Sequence, residues 1–562
     1  MKTKPWYTRR RYWTLAILAV LVYFCLIPSP LRVSPQTTGL TTPLLPNGDV
    51  DYFGAYEQMY IHKLSPPEDN GMRLIIAALG PRCLEQHTIT TTVPWEEMPT
   101  HENSKYWFNN QWIPLCEHMY IDPYVKPKFL HLREWHGFMY DAWEANKKED
   151  ELQDQAWNRI TDLHKQLIKA PWRAEDQPDT ARWLEEQSPL LDLFGVAVRK
   201  PNYVCWRPRP DNGTVWMIML PDVQSQRTFG RDLSVRVTER LGRGDIDGAW
   251  YDVMSMFYLS RKHYVHDPFL VVNFVGFSIE EMGWESAKVV LQHGNLTLEQ
   301  LERFAKDLES LPRKLTLYAY KSERYQIYSI LQGLQKVPSE YFDYWIGDRS
   351  SSNPITDLTS FFIYLFGGEG GMSRVRYITF LPFDRNLAGK RITKLLQTER
   401  QLSDDSAWDV NSIVRKKHAE HMEQMLHAKS NALRGFQSLL RVPLIRTRSE
   451  WIADYVVATW MPALNFAHNA LDRTNTRYDL LRLALALERY RLAHGDYPSD
   501  LEALVPQFLE EVPIEPLTGR KSFVYKIAPD AETAVLLHAS KWSEEENEWY
   551  GQGLVIRIAA EK

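Results

Sequence analysis

Between Tyr12 and Ile27 the chain carries one apolar run, preceded by Lys2, Lys4, Arg9, Arg10 and Arg11 and followed by Pro28, Pro30 and Pro35. No second run of that kind follows, so the rest of the chain must fold as a body that faces water. Sixteen helical residues at about 1.5 Å each span about 24 Å, which crosses a bilayer with local thinning and snorkelling of the flanking arginines. The residues after the run, Ser29-Pro30-Leu31-Arg32, lack the small-residue pattern of a signal-peptidase site. An uncleaved anchor over 12–28 is therefore expected. The basic cluster precedes the run, which places residues 1–11 in the cytoplasm and everything from about 29 onward on the far side.

Length and composition fill in the body. The 562 residues suffice for several hydrophobic cores, and 24% charged with 44% hydrophobic residues is globular composition. With 66 Lys plus Arg against 71 Asp plus Glu, the formal net charge of -5 supplies no basic field for nucleic acid. Cys25, Cys83, Cys116 and Cys205 are too few for a disulfide framework. Cys83 and Cys116 are the nearest pair in sequence outside the run, and separate buried thiols fit equally well.

Periodicity predicts a mainly α protein, built of stacked helical hairpins with a small C-terminal α+β module. Residues 29–48, rich in Pro and Thr, read as an extended linker. Residues 49–179 read as helical, with two helices on either side of Ser65-Pro66-Pro67, an irregular aromatic and Pro-rich insertion at 88–130, and helix again from Phe138 to Lys169. Residues 180–347 read as a helical-hairpin body, punctuated by the turn Leu241-Gly242-Arg243-Gly244-Asp245 and by the capping box Thr297 to Gln300. An irregular Gly-rich connection is expected over 348–409, its irregular text running from 348 to 390. Helix is expected over 410–479, from Val410 to Arg441 and from Ser449 to His494, kinked at Pro462 and ended by Gly495. In the tail, 480–562, Ser499 to Glu502 reads as a second capping box opening a helix to Leu509, and SFVYKIA, TAVLLHAS and GLVIRIA read as three antiparallel strands.

Two resemblances rest on particular residues. The tail, with its Ala/Leu-rich helix through Tyr490 and Gly495, the Tyr497-Pro498 step, Leu504 and the Pro513 to Gly519 turn before Tyr525, resembles the part of a type II secretion pseudopilin that follows its hydrophobic helix. More than 400 residues separate it from the apolar run, so the resemblance implies a borrowed fold and not a pilin subunit. More broadly, Asn47 to Tyr52, Pro66 to Asn70, Leu79-Gly80-Pro81 and the stretch LGRGDIDGAW at Leu241 to Trp250 resemble signal-anchored bacterial envelope proteins of planctomycete type. That resemblance implies no catalytic residue. LGRGDIDGAW is also similar to the inter-helix turn of tetratricopeptide units, without a 34-residue period.

Chemistry-bearing patterns are incomplete. His418, Glu420, His421 and Glu423, with His427 beyond, lack either zincin spacing and read as a solvated helix face. His131 and His136, around Glu134 and Trp135, read as packing residues. Gly276-Phe277-Ser278-Ile279-Glu280 fails as a nucleophile elbow, and Gly367 to Gly371 lacks the Lys-Ser/Thr ending of a phosphate loop. Glu280, Glu281, Asp211 and Asp222 are acids without demonstrated pairing. Trp95, Tyr106, Trp107, Trp112, Tyr120 and Tyr124 suit either a glycan or peptide surface or the closure of a loop-rich core. No catalytic, metal or cofactor residue is assigned, and no cofactor is expected. The expected function is that of a membrane-anchored, non-catalytic envelope scaffold with a protein partner and no nucleic acid. An envelope-polymer hydrolase and an accessory component of a secretion apparatus are the alternatives.

Overall fold

The computed structural model describes residues 31–80, 112–124, 161–209, 220–267, 269–293, 295–311, 320–333, 383–403, 445–514, 523–527, 533–537 and 556–559, with isolated positions 13, 14, 109, 215 and 420. The protein is mainly helical. In chain order the elements are α1 (Tyr52–Tyr60), α2 (Gly71–Leu79), α3 (Ile113–Met119), α4 (Pro178–Val198), α5 (Pro221–Gly242) and α6 (Ile246–His266). There follow α7 (Leu270–His293), α8 (Leu298–Glu309), α9 (Tyr320–Gly333), α10 (Arg385–Ser403) and α11 (Ile445–His494), then β1 (Val524–Ile527), β2 (Thr533–Leu537) and β3 (Ile556–Ala559). The apolar run expected as an anchor lies outside the described residues save positions 13 and 14, and no described helix is long and apolar enough to cross a membrane.

Two interleaved compact units divide the chain. The first holds residues 1–57, 209–217 and 321–465, the second 58–208, 218–320 and 466–562. The second is the larger. Its centre is the trio α5, α6 and α7, each packed on the other two, with α4 against α5 and α6 and α8 against α6. The α5–α6 turn forms where expected: Gly244 adopts φ +81, which a side chain resists, and the Asp245 carboxylate then caps α6 by accepting from the Gly248 N–H at 3.0 Å. Phe194 of α4 stacks on Phe229 of α5 at 4.3 Å, and Trp250 of α6 on Phe304 of α8 at 4.2 Å. The Thr297 capping box opens α8, its hydroxyl accepting from Gln300 N at 3.2 Å while Gln300 Oε1 accepts from Thr297 N at 3.0 Å. Two helices flank the Ser65 to Pro67 break as expected.

Several boundaries differ from expectation for local reasons. The insertion at 88–130 is not wholly irregular, because α3 forms inside it with Pro114 in its first turn, the one place where a missing N–H costs a helix nothing. Residues 384–390 are not irregular either. The Asp384 carboxylate accepts from the backbone of Asn386 at 2.8 Å and Leu387 at 3.3 Å, and α10 starts there. The helix expected from Ser499 to Leu509 shrinks to one 3-10 turn, Glu502–Leu504. Asp500, not Ser499, receives the Ala503 N–H at 3.1 Å. Val505, held extended at ψ 138 ahead of Pro506, stops propagation.

Helix α11 runs 50 residues without a break through Pro462 and ends at Gly495, φ +93. The division expected between 479 and 480 falls inside this helix. Leu480, Leu481, Leu483, Ala484, Leu485, Ala486 and Leu487 are all fully buried, so this stretch is a core helix of the second unit; Arg482 within it is buried too and donates to Asp479 at 3.3 Å. Beyond it β1, β2 and β3 form an antiparallel sheet in sequence order, with Val524 opposite Leu537 and Thr533 opposite Ala559. The Tyr525 hydroxyl donates to Pro498 O at 2.8 Å and ties β1 to the Tyr497-Pro498 step.

Candidate functional site

The first unit contains the arrangement that departs most from a chain of packed helices. Residues 31–50, which take in the described part of the extended linker expected over 29–48, form a strap of turns docked on α9 and α10. Polar groups on those helices supply the backbone partners that a free linker would find in water. The Arg32 N–H donates to Asn386 Oδ1 at 2.8 Å, and Thr393 Oγ1 donates to Gln36 O at 2.8 Å. Gln332 imitates a strand neighbour, receiving Val50 N at 3.1 Å and donating to Val50 O at 3.0 Å. Thr37 and Thr38 are buried, and Tyr52 reaches back so that its hydroxyl donates to Thr38 O at 2.8 Å while its ring stacks on Tyr328. Gly389 makes the closest approach: a Cβ there would lie 2.0 Å from Thr37 O. The strap closes with a hairpin in which Leu44 pairs antiparallel with Val50 around Asn47-Gly48.

Below the hairpin, Arg209 grips Asp51 through two hydrogen bonds, 2.8 and 2.9 Å, and lies over the Phe53 ring at 4.7 Å. Burial pushes the Asp51 carboxyl up, but the hydrogen bonds from Arg209 and from the Gly54 N–H outweigh it and hold the group below its usual range. A carboxylate depressed in the folded state contributes stability that is present above about pH 4 and lost as the pH falls through the folded value. Arg209→Ala is therefore expected to lower the denaturation midpoint at pH 5–7, with the difference from the parent shrinking below pH 4. A midpoint difference that holds constant from pH 7 to pH 2.5 would refute the ion pair.

The second unit buries charge instead. Arg236 and Asp252, both buried, form a bidentate pair at 2.8 and 2.6 Å, and Arg236 also donates to Asp192 at 2.8 Å and Ser188 O at 3.1 Å. Arg240, one turn on, donates to Gly248 O at 2.6 Å and lies 3.1 Å from the same Asp252. Burial pushes the Asp252 carboxyl up against the pull of both guanidiniums. One hairpin end further, Arg261 of α6 donates to Glu280 of α7 at 2.6 Å, and Arg477 of α11 donates to Glu281 at 2.5 Å. Burial raises Glu280 as well, opposed by Arg261, Ser260 and Arg477.

These positions answer the candidates read from the sequence. Glu280 and Glu281 point to different neighbours, and each spends its charge on an arginine of another helix. They do not converge as a catalytic pair. Gly276 to Ser278 lie mid-helix in α7, which excludes a nucleophile elbow. Trp112 is buried and donates to Pro123 O at 2.9 Å, closing a core, whereas Tyr120 and Tyr124 are exposed. Cys116 is a free buried thiol, pushed up to about 12 by burial, and Cys205 is buried, its thiol donating to Trp206 O at 3.3 Å. Among the described residues no group of three His, Cys, Asp or Glu could hold a metal. His131, Glu134, Trp135, His136, His418, His421, Glu423, His427, Trp95, Tyr106, Trp107, Cys83, Asp211 and Gly367 to Gly371 lie outside the described residues; Glu420 is helical and exposed, and Asp222 sits in the first turn of α5.

Sequence reasoning missed the strap and the buried arginines. The second had a signal. Arg236 is enclosed by Leu233, Val235 and Val237, and a charge embedded in apolar text has to be paired once it folds. Comparison of the chain with protein-family models, with curated proteins and with solved structures finds no match.

Proposed function

We propose that this chain is a membrane-anchored, non-catalytic envelope scaffold. One N-terminal span over 12–28 places residues 1–11 in the cytoplasm and the helical body beyond the membrane. The observation that carries the reading is the strap: the segment that follows the span is docked on α9 and α10 from Arg32 onward, which suits a rigid mounting better than a swinging enzyme on a leash. The arginine-bound carboxylates Asp252, Glu280 and Glu281 support the same reading, since each is committed to structure and not to proton transfer.

The body is read as stacked hairpins of tetratricopeptide-like kind, supported by the α5–α6 turn and its Trp250 staple. The tail beyond α11, with its three-stranded sheet, is read as a pseudopilin-like interaction module that faces a protein partner of the envelope. Alkaline extraction of membranes from producing cells is expected to leave the chain in the pellet, with detergent needed for release. Cross-linking before extraction is expected to return reproducible links from the body or the 495–562 tail to one envelope protein. Recovery in the alkaline wash would overturn the anchor. Purification with glycan fragments and no linked protein would overturn the scaffold in favour of a polymer hydrolase.

A further inference from the structure

The hairpin of the strap carries a reactive dipeptide, and the fold treats two copies of that dipeptide in opposite ways. Asn-Gly occurs at Asn47-Gly48 and again at Asn70-Gly71, with a third pair, Asn212-Gly213, outside the described residues. An asparagine amide is lost as ammonia when the next backbone nitrogen attacks its carbonyl carbon, and glycine, without a side chain, leaves that nitrogen least hindered. The reaction closes a five-membered ring within one chain, so the geometry of the turn and its freedom to open decide the rate.

Asn70 is buried and locked. Its Oδ1 accepts from Met72 N at 3.2 Å and from Val204 N at 3.1 Å, and its Nδ2 donates to Val204 O at 2.9 Å. Gly71 N donates to Asn202 O at 2.9 Å, and a Cβ on Gly71 would stand 1.9 Å from Ala197 O, so the backbone there has no room to turn. Asn47 and Gly48 are both exposed. Gly48 adopts φ +86 and a Cβ there would meet nothing within 4 Å, so the glycine answers the turn and not a neighbour. The Asn47 Oδ1 accepts from Asp49 N at 3.0 Å, which bends the side chain back over Gly48, and the Gly48 N–H donates to Leu45 O at 2.9 Å. Attack requires both of those bonds to open. Each holds the turn closed by about a factor of five, so together they slow the reaction about twenty-five-fold against the same residues in an unfolded peptide.

We propose that Asn47 is a site of spontaneous deamidation and that its conversion loosens the strap from α9. The Gly48 nitrogen gives its proton to solvent base and attacks the Asn47 side-chain carbonyl carbon. The Cγ–Nδ2 bond breaks, and the nitrogen leaves as ammonia with a proton taken from water. Water then opens the cyclic imide at either carbonyl, leaving aspartate at position 47 or isoaspartate, whose main chain runs through the side-chain carbons. Nothing is oxidised or reduced. Aspartate loses the donor that Asn47 Nδ2 offers to Asp49 Oδ2 at 3.0 Å and sets two carboxylates side by side. Isoaspartate adds one carbon to the main chain of the turn, so the Leu45 N–Asp49 O bond of 2.8 Å and the Leu44–Val50 pairing lose their register. Gln332 of α9 holds Val50 by both its N and its O, and a shifted hairpin withdraws Val50 from that grip. The inference concerns the seating of the strap within the first unit and does not depend on the anchor.

The test incubates the full chain at mildly alkaline pH in water enriched in heavy oxygen, beside a synthetic peptide of residues 44–51, and follows the label by peptide mass spectrometry. The expected result is label at residue 47 of the folded chain, partly as isoaspartate, at a rate about twenty-five-fold below that of the peptide, and none at residue 70. Aged chain is then expected to be cleaved within residues 31–50 faster than fresh chain, with α5 to α7 protected equally in both. The Asn47→Gln variant, which cannot close the five-membered ring, is expected to take up no label at 47 and to show the same strap cleavage before and after incubation. Comparing that variant only with itself keeps the control independent of any change the substitution makes to the hairpin. No label at residue 47 after several of the expected half-lives overturns the site. Label at the peptide's own rate overturns the closed turn, and equal label at 47 and 70 shows reaction through global unfolding and overturns the assignment to the exposed hairpin. Label at 47 with a strap as resistant as before overturns the loosening.

Discussion

Asp252→Ala is expected to cost the second unit about 3–5 kcal/mol, the largest loss from any single carboxylate in the described chain. The substitution removes the shared partner of two arginines, and Arg236 is almost wholly buried with no route to water. Arg236 would keep Asp192, whose carboxylate is more than half exposed, and Ser188 O. Neither replaces a bidentate pair in the interior. A buried ion pair is expensive to break yet contributes little against an apolar replacement of equal volume, because assembling it already cost the hydration of both ions. The triple variant Asp252→Leu/Arg236→Met/Arg240→Met is therefore expected to recover most of the loss. The chain has two units and need not unfold in one step, so the readout is hydrogen exchange of the α5 and α6 amides. Protection that falls in Asp252→Ala and returns in the triple variant supports the account. A triple variant as unprotected as the single one would mean that the lattice specifies the packing of α4, α5 and α6 and does not simply satisfy itself.

That lattice also marks where the sequence stops being readable. Features decided within a few residues were legible: the Thr297 to Gln300 capping box, the Gly244-Asp245 turn, the break at Ser65 to Pro67, and the stop at Gly495. Each is settled by backbone sterics or by a hydrogen bond spanning at most four residues. What stayed hidden depends on partners far along the chain. Gln332 meets Val50 across 282 positions and Thr393 meets Gln36 across 357, and no local period records either contact. A Pro/Thr-rich segment has the composition of a spacer whether or not a groove exists to receive it, because threonine hydroxyls satisfy water and buried carbonyls alike. Asp384 was locally legible as a helix start, yet the glycine-rich text before it drew the expectation of a long irregular stretch. The candidate site shows the same division. Incomplete motifs argued correctly against an elbow at Ser278, while pairing of Glu280 with Arg261 and of Glu281 with Arg477 required the packing of α6, α7 and α11.

Gly389→Ala is expected to release the strap, and it separates two effects of opposite sign. Gly389 lies inside α10, and helix propensity alone predicts that alanine there stabilises by about 1 kcal/mol. The groove predicts the reverse. A Cβ at 389 would stand 2.0 Å from Thr37 O and 2.8 Å from its carbonyl carbon, both backbone atoms that no rotamer change can move. Relief comes only if the strap lifts. Lifting exposes Thr37 and Thr38 and breaks the Thr393–Gln36 and Tyr52–Thr38 hydrogen bonds. Overpacking of this kind costs about 1–3 kcal/mol, which exceeds the propensity gain at most of that range. Limited proteolysis reads the result directly: cleavage within residues 31–50 is expected to be slow in the parent and fast in Gly389→Ala, with α5 to α7 protected equally in both. If the variant is instead more stable and its strap equally resistant, the strap is not seated in the α10 groove. Rigid mounting of the body would then lose part of its support, because the close approach at Gly389 is what seats the Thr37 backbone on α10, beside the Tyr52 hydrogen bond to Thr38 O.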